Sequence, residues 1–94
     1  MNQLSAPAQF IDSVADYFDS LIPQATDDQL FAAGYLRGHF DLAVGSLEVS
    51  AEPFDKPQLC HWVEQSLAKA IAGGELTADD EQHVQQLWQQ VQKL

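Results

Sequence analysis

At 94 residues the chain has room for one thin core, because a domain of this size buries only roughly 60–65% of the surface its unfolded form exposes. Hydrophobic residues make up 46% of it, yet no run approaches the ~20 consecutive apolar residues of a membrane span. Fourteen acidic and four basic side chains give a net charge of −10, the reverse of the balance that phosphate backbones select, which argues against a nucleic-acid partner.

Ser5-Ala6-Pro7 reads as a helix start with proline in the first turn, and Pro23 as a stop; between them Ile11, Val14, Phe18 and Leu21 recur at alternating three and four. The spacing predicts a helix over about 6–22. Asp12, Asp16 and Asp19 lie opposite that stripe and read as a solvated face.

Thr26 with Gln29 fits a capping box, and Asp27 and Asp28 suit the positive end of a helix dipole, so a second helix is expected over about 27–50. It carries two apolar arcs, Phe31, Tyr35, Leu42 and Val49 on one side and Ala33, Leu36, Phe40 and Leu47 on another. Two arcs predict packing on two sides, as in a central helix or an oligomer contact. Gly34, Gly38 and Gly45 each cost up to ~1 kcal/mol there relative to alanine. Gly34 and Gly38 share a face and read as the close-approach point for a second helix.

Residues 51–56 read as a linker and Pro57 as the first turn of a third helix, over about 57–72, burying Leu59, Cys60, Val63, Leu67 and Ile71. Gly73-Gly74 suits the left-handed conformation that closes a helix. Thr77 with Asp80 opens a fourth helix, over about 78–93, whose Val84, Leu87, Trp88 and Val91 form one narrow stripe. Short connections favour antiparallel neighbours, so residues 1–94 are expected to form a single all-α domain, an up-down-up-down four-helix bundle or a closely related irregular helical bundle.

Chemistry is hard to find in this pattern. The serines sit in no nucleophile-elbow context, no glycine-rich phosphate loop precedes a helix, and abundant acids make paired carboxylates uninformative. His39, His61 and His83 are not expected to converge on a metal, and no cofactor is implied. The chain is therefore read as a non-enzyme. Met1-Asn2-Gln3-Leu4-Ser5 has no secretory pattern, and the lone Cys60 suits a reducing compartment, so the cytoplasm is the expected location.

The candidate binding or interaction residues are Tyr35, Arg37, His39, Asp41 and Trp62. Arg37, the one arginine, is expected to pair with Asp41 one turn on, shaded by Leu30 and Val44. His39 is expected beside Ser46 as an interhelical histidine, and Trp62 at the rim of the third helix's buried arc. The leading functional expectation is a non-catalytic protein-interaction module that binds a protein partner or itself. The alternative is a small-ligand or anion-binding bundle centred on Arg37 and His39; a third is an acidic polyanion mimic.

Two blocks, Asp27 through Phe40 continuing to Leu42-Ala43-Val44, and Ser66 through Thr77, together with Val84 and Trp88, resemble a family of small bacterial proteins, the YfcL-like proteins. The resemblance covers about two thirds of the chain. It implies a cytoplasmic bacterial protein and brings no activity, cofactor or catalytic residue with it; it directs attention to Gly34, Tyr35, Arg37, Gly38 and His39.

Overall fold

The structure, a computed structural model, describes residues 5–50 and 52–94 and the side chains of these from Pro7 onward. The readings placed on Met1–Leu4 and Ala51 lie outside them. The described residues form four α-helices: α1 Ser5–Leu21, α2 Asp27–Val49, α3 Lys56–Ala72 and α4 Ala78–Gln92. Pro23 lies in a 3-10 turn, Ile22–Gln24, that closes α1, since proline removes the donor a continuing helix needs.

Local chemistry accounts for each boundary. Thr26 caps α2 in a capping box: its Oγ1 accepts from the Gln29 N–H at 3.2 Å, and Gln29 Oε1 accepts from the Thr26 N–H at 2.9 Å. Asp55 and Gln58 do the same for α3, at 2.9 Å in both directions. The linker expected over 51–56 is therefore shorter than composition implied, because Asp55 is already a cap. At the other end of α3, Gly74 has φ +78°, the Gly74 N–H donates to the Ile71 carbonyl and the Glu75 N–H to the Ala70 carbonyl. This is the Schellman arrangement the glycine pair implied. Thr77 Oγ1 then accepts from the Asp80 N–H and starts α4.

The core is one cluster to which every helix contributes. Phe10, Val14 and Phe18 come from α1; Leu59, Val63 and Leu67 from α3; Val84, Trp88 and Val91 from α4. Helix α2 supplies Ala32, Ala33, Leu36, Phe40 and Ala43. It packs most extensively on α4, next on α3, and also touches α1. Phe40 meets Phe10 edge-to-face with ring centroids 5.8 Å apart, and the Lys56 ammonium lies over the Phe10 ring, 4.7 Å from its centroid. In α3, Ile71 and Cys60 are half-buried where burial was expected, and Ala70 is buried in addition.

Helix α2 is the central element, touching each of the other three, and within the protomer only one of its two apolar arcs is covered. The arc with Ala33, Leu36 and Phe40 is buried, whereas Phe31, Leu42 and Val49 are 48, 57 and 85% exposed. No helix of the same protomer makes the close approach that Gly34 and Gly38 would allow: a Cβ built on Gly34, Gly38 or Gly45 meets no atom within 4 Å. These glycines belong to the open side of the helix.

Two substitutions read this arrangement. In dilute solution Gly38→Ala raises stability by up to ~1 kcal/mol, since it removes a helix-interior glycine without a clash, while Leu36→Ala lowers it by about 2–5 kcal/mol through the cavity it leaves. Urea unfolding of the two variants against the parent checks both.

Candidate functional site

On α2, residues spaced by two point to different sides of the cylinder, and this separates the residues that sequence reading grouped together. Arg37 reaches towards α1. Its Nη1 donates to Asp19 Oδ1 at 3.2 Å, and its guanidinium carbon sits 5.8 Å from the Phe18 ring centroid. The expected pairing with Asp41 is replaced by this contact, because the Arg37 side chain extends along the seam between α1 and α2 rather than along its own helix. Leu30, expected to shade it, is 40% exposed. Asp19 thereby leaves the purely solvated role given to it. The pair is exposed enough to contribute only ~0–1 kcal/mol.

Tyr35 and His39 lean the other way, towards α3. The Tyr35 hydroxyl donates to Glu75 Oε1 at 2.7 Å, and His39 Nδ1 is hydrogen-bonded to Ser66 Oγ at 2.5 Å, the direction set by the imidazole tautomer. His39 is thus interhelical as expected, with Ser66 of α3 as its partner. Phe31 stacks on Tyr35, with centroids 6.0 Å apart, and Tyr35 tilts over His39 at 4.8 Å. The three rings form a ladder at four-residue intervals along one edge of α2.

Arg37 and His39 therefore share no pocket. The cleft beside Arg37, bounded by Phe18, Phe40 and Asp41, encloses about 40 Å³, room for about one water against the ~300–1,000 Å³ of a small-molecule site. A groove of about 510 Å³ lies elsewhere, between the end of α1 and the glutamine-rich face of α4, with His83 on its wall. Trp62 is half-buried against the core, at the edge of an open concavity on α3 with His61 and Lys69. Among the described residues, no group of three or more His, Cys, Asp or Glu side chains is placed to hold a metal ion. Burial pushes the Cys60 thiol pKa up, with Glu64 adding to the rise and the Lys56 charge opposing it, so the thiolate that reacts is disfavoured.

The remaining feature is the open face of α2. Phe31, Leu42 and Val49 align along it, and Gly34, Gly38 and Gly45 lie among them with unfilled space above.

The family model described as YfcL protein matches residues 8–93. The chain belongs to the YfcL family. It is 40% identical over 82 residues to a protein of Escherichia coli (strain K12) named "Uncharacterized protein YfcL", a match covering 87% of this chain and 88% of that protein. No solved structure matches.

In this YfcL-family chain, the block from Asp27 to Val44 is all of α2 but its last five residues, so it contains both the buried arc and most of the open face. Three contact partners, Asp19, Ser66 and Glu75, were not legible as such in the sequence. They lie eighteen, twenty-seven and forty residues from the side chains they bind. The open face had a signal, the interleaving of glycine with large apolar residues, which admitted a second reading as packing inside the protomer.

Desolvation first, then the hydrogen bond to Glu75 and its charge, push the Tyr35 pKa up from 10.0 to about 12. The fold favours the neutral phenol, so the stability this contact carries is complete below pH 10 and is lost as pH rises through about 12. The stability advantage of the parent over Tyr35→Phe is therefore constant near neutrality and shrinks across that alkaline window. Urea unfolding of both proteins over a pH series measures it.

Proposed function

We propose that this chain is a non-catalytic protein-interaction module that binds through the open face of α2. The observation that carries the reading is the distribution of exposed apolar side chains. Of the six large hydrophobic residues exposed among the described ones, Leu30, Phe31, Leu42 and Val49 belong to a single helix, and the last three are in line. Scattered exposed hydrophobics are ordinary, whereas large ones aligned on a single helix face favour a contact site.

The residues with chemical potential support the non-catalytic part. Arg37, Tyr35 and His39 are each engaged with a neighbouring element, through Asp19, Glu75 and Ser66, and serve as struts that hold α2 in place. An up-down-up-down course belongs to the same proposal. It is supported, for the first three helices, by contacts that run in opposite directions along neighbours: Phe10 with Phe40 and Asp19 with Arg37 between α1 and α2, and His39 with Ser66 as Tyr35 reaches Glu75 beyond the end of α3. No helix among the described residues is long and apolar enough to cross a membrane. The lone cysteine supports a cytoplasmic setting.

A photo-crosslinking side chain placed at Leu42, and separately at Asp12 on the exposed side of α1, tests this in living cells. The position-42 protein forms a discrete covalent adduct with a protein and the position-12 protein does not. Equal labelling at the two sites, or none at either, overturns the reading.

A further inference from the structure

The strip itself indicates what covers it. Reading up its middle and its aromatic edge gives Phe31, Tyr35, Gly38, Leu42, Gly45 and Val49, a spacing of alternating four and three that keeps a straight seam on a helix. The order is large, large, small, large, small, large. Reversed and laid on itself about a midpoint level with Phe40, it pairs Phe31 with Val49, Tyr35 with Gly45 and Gly38 with Leu42. Gly38 then lies opposite Leu42, and Gly45 opposite the edge of Tyr35, whose hydroxyl stays bonded to Glu75.

Other arrangements fit less well. A parallel pair sets Gly38 on Gly38 and Gly45 on Gly45, leaving voids beside leucine and valine that cost packing contacts. Antiparallel registers half a heptad up or down satisfy the central pair but leave one end of the seam unmatched. The glycines offer holes that are empty in the protomer, and Leu42 and Val49 offer knobs that stand 57 and 85% exposed.

We propose that the open face of α2 is covered by a second copy of this chain, with the two α2 helices antiparallel about a twofold axis level with Phe40, each Leu42 seated over the partner's Gly38. This rests on the interaction reading above and names its partner. An isologous contact of this kind requires a self-complementary surface, which the strip provides. From residue 31 to residue 49 the seam is about 27 Å long, and a helix presents a face about 10 Å wide, so the contact covers about 270 Å² of each protomer, less than the ~800 Å² per partner of a standard interface. The dimer is consequently weak and transient, populated only at high protein concentration.

Charge adds an independent signature. Asp41 borders the seam one residue from the axis, and twofold symmetry brings the same rim of both helices together, so Asp41 faces its own mate. Each protomer also carries a net charge of −10. Both effects oppose association and are screened by salt, so the dimer tightens as ionic strength rises. Capture of a basic partner by the acidic surface shows the opposite trend.

Sedimentation velocity over a concentration series up to several hundred micromolar tests the proposal with the parent, Gly38→Leu, the exchange variant Gly38→Leu/Leu42→Gly, and Asp41→Asn. Circular dichroism confirms the helical fold of each. The parent shows a concentration-dependent monomer–dimer equilibrium that salt strengthens. Gly38→Leu weakens it about ten-fold or more by filling the hole, although it adds apolar surface; the exchange variant, which moves each knob to the former hole, restores it; Asp41→Asn tightens it.

A parent that stays monomeric throughout overturns the proposal, as does a Gly38→Leu protein that associates as well as the parent or an exchange variant that stays monomeric. If the parent is monomeric while the crosslinker at position 42 captures a different protein, only the second-copy inference falls. If that crosslinker captures nothing, the interaction reading falls with it.

Discussion

Three helices rest on one narrow arc of a fourth. Ala32, Ala33, Leu36, Phe40 and Ala43 are the buried residues of α2, and three of the five are alanine. Small side chains let α1, α3 and α4 approach the same helix from different directions, and Leu36 and Phe40 fill the space where those approaches meet. Every other helix gives this arc a matching set: Val14 and Phe18, Val63 and Leu67, Val84 and Trp88. An arc of this kind accounts for the placement of the polar side chains as well. Arg37 on one flank and Tyr35 and His39 on the other are the first residues outside it, so they are positioned to reach across the seams to α1 and α3.

The elements were legible because they are encoded within a few residues of their ends. Thr26 with Gln29, the Gly73-Gly74 pair and Thr77 with Asp80 each satisfy orphan backbone groups locally, and no tertiary information is needed to read them. Asp55 with Gln58 had the same form and was hidden only by the proline that follows. The family resemblance was legible in the same way, since it resides in two contiguous blocks. Contacts between elements were not: Arg37 has an acid one turn away on its own helix and another on α1, and nothing in the spacing chooses between them. The choice depends on where the seam runs, and that seam is marked by the packing of Phe10 on Phe40.

The two apolar arcs of α2 mark the limit of periodicity as a guide. Hydrophobic spacing identifies a face that avoids water, and it carries no statement about whether the same chain covers it. The glycines sharpen this point. A glycine inside a packed seam and a glycine on an open face look alike in sequence, and only the empty space above Gly34, Gly38 and Gly45 separates the two cases.

The extensive packing of α4 on α2 joins segments separated by the whole of α3. Since α4 follows the others in the order of synthesis, the nascent chain completes α2 long before the helix that covers most of its inner arc exists. At about 5–20 residues per second, the stretch from α2 to the end of α4 occupies several seconds of elongation. During that interval the inner arc of α2 lacks the helix that covers most of it, so the core closes only once the last element has been made.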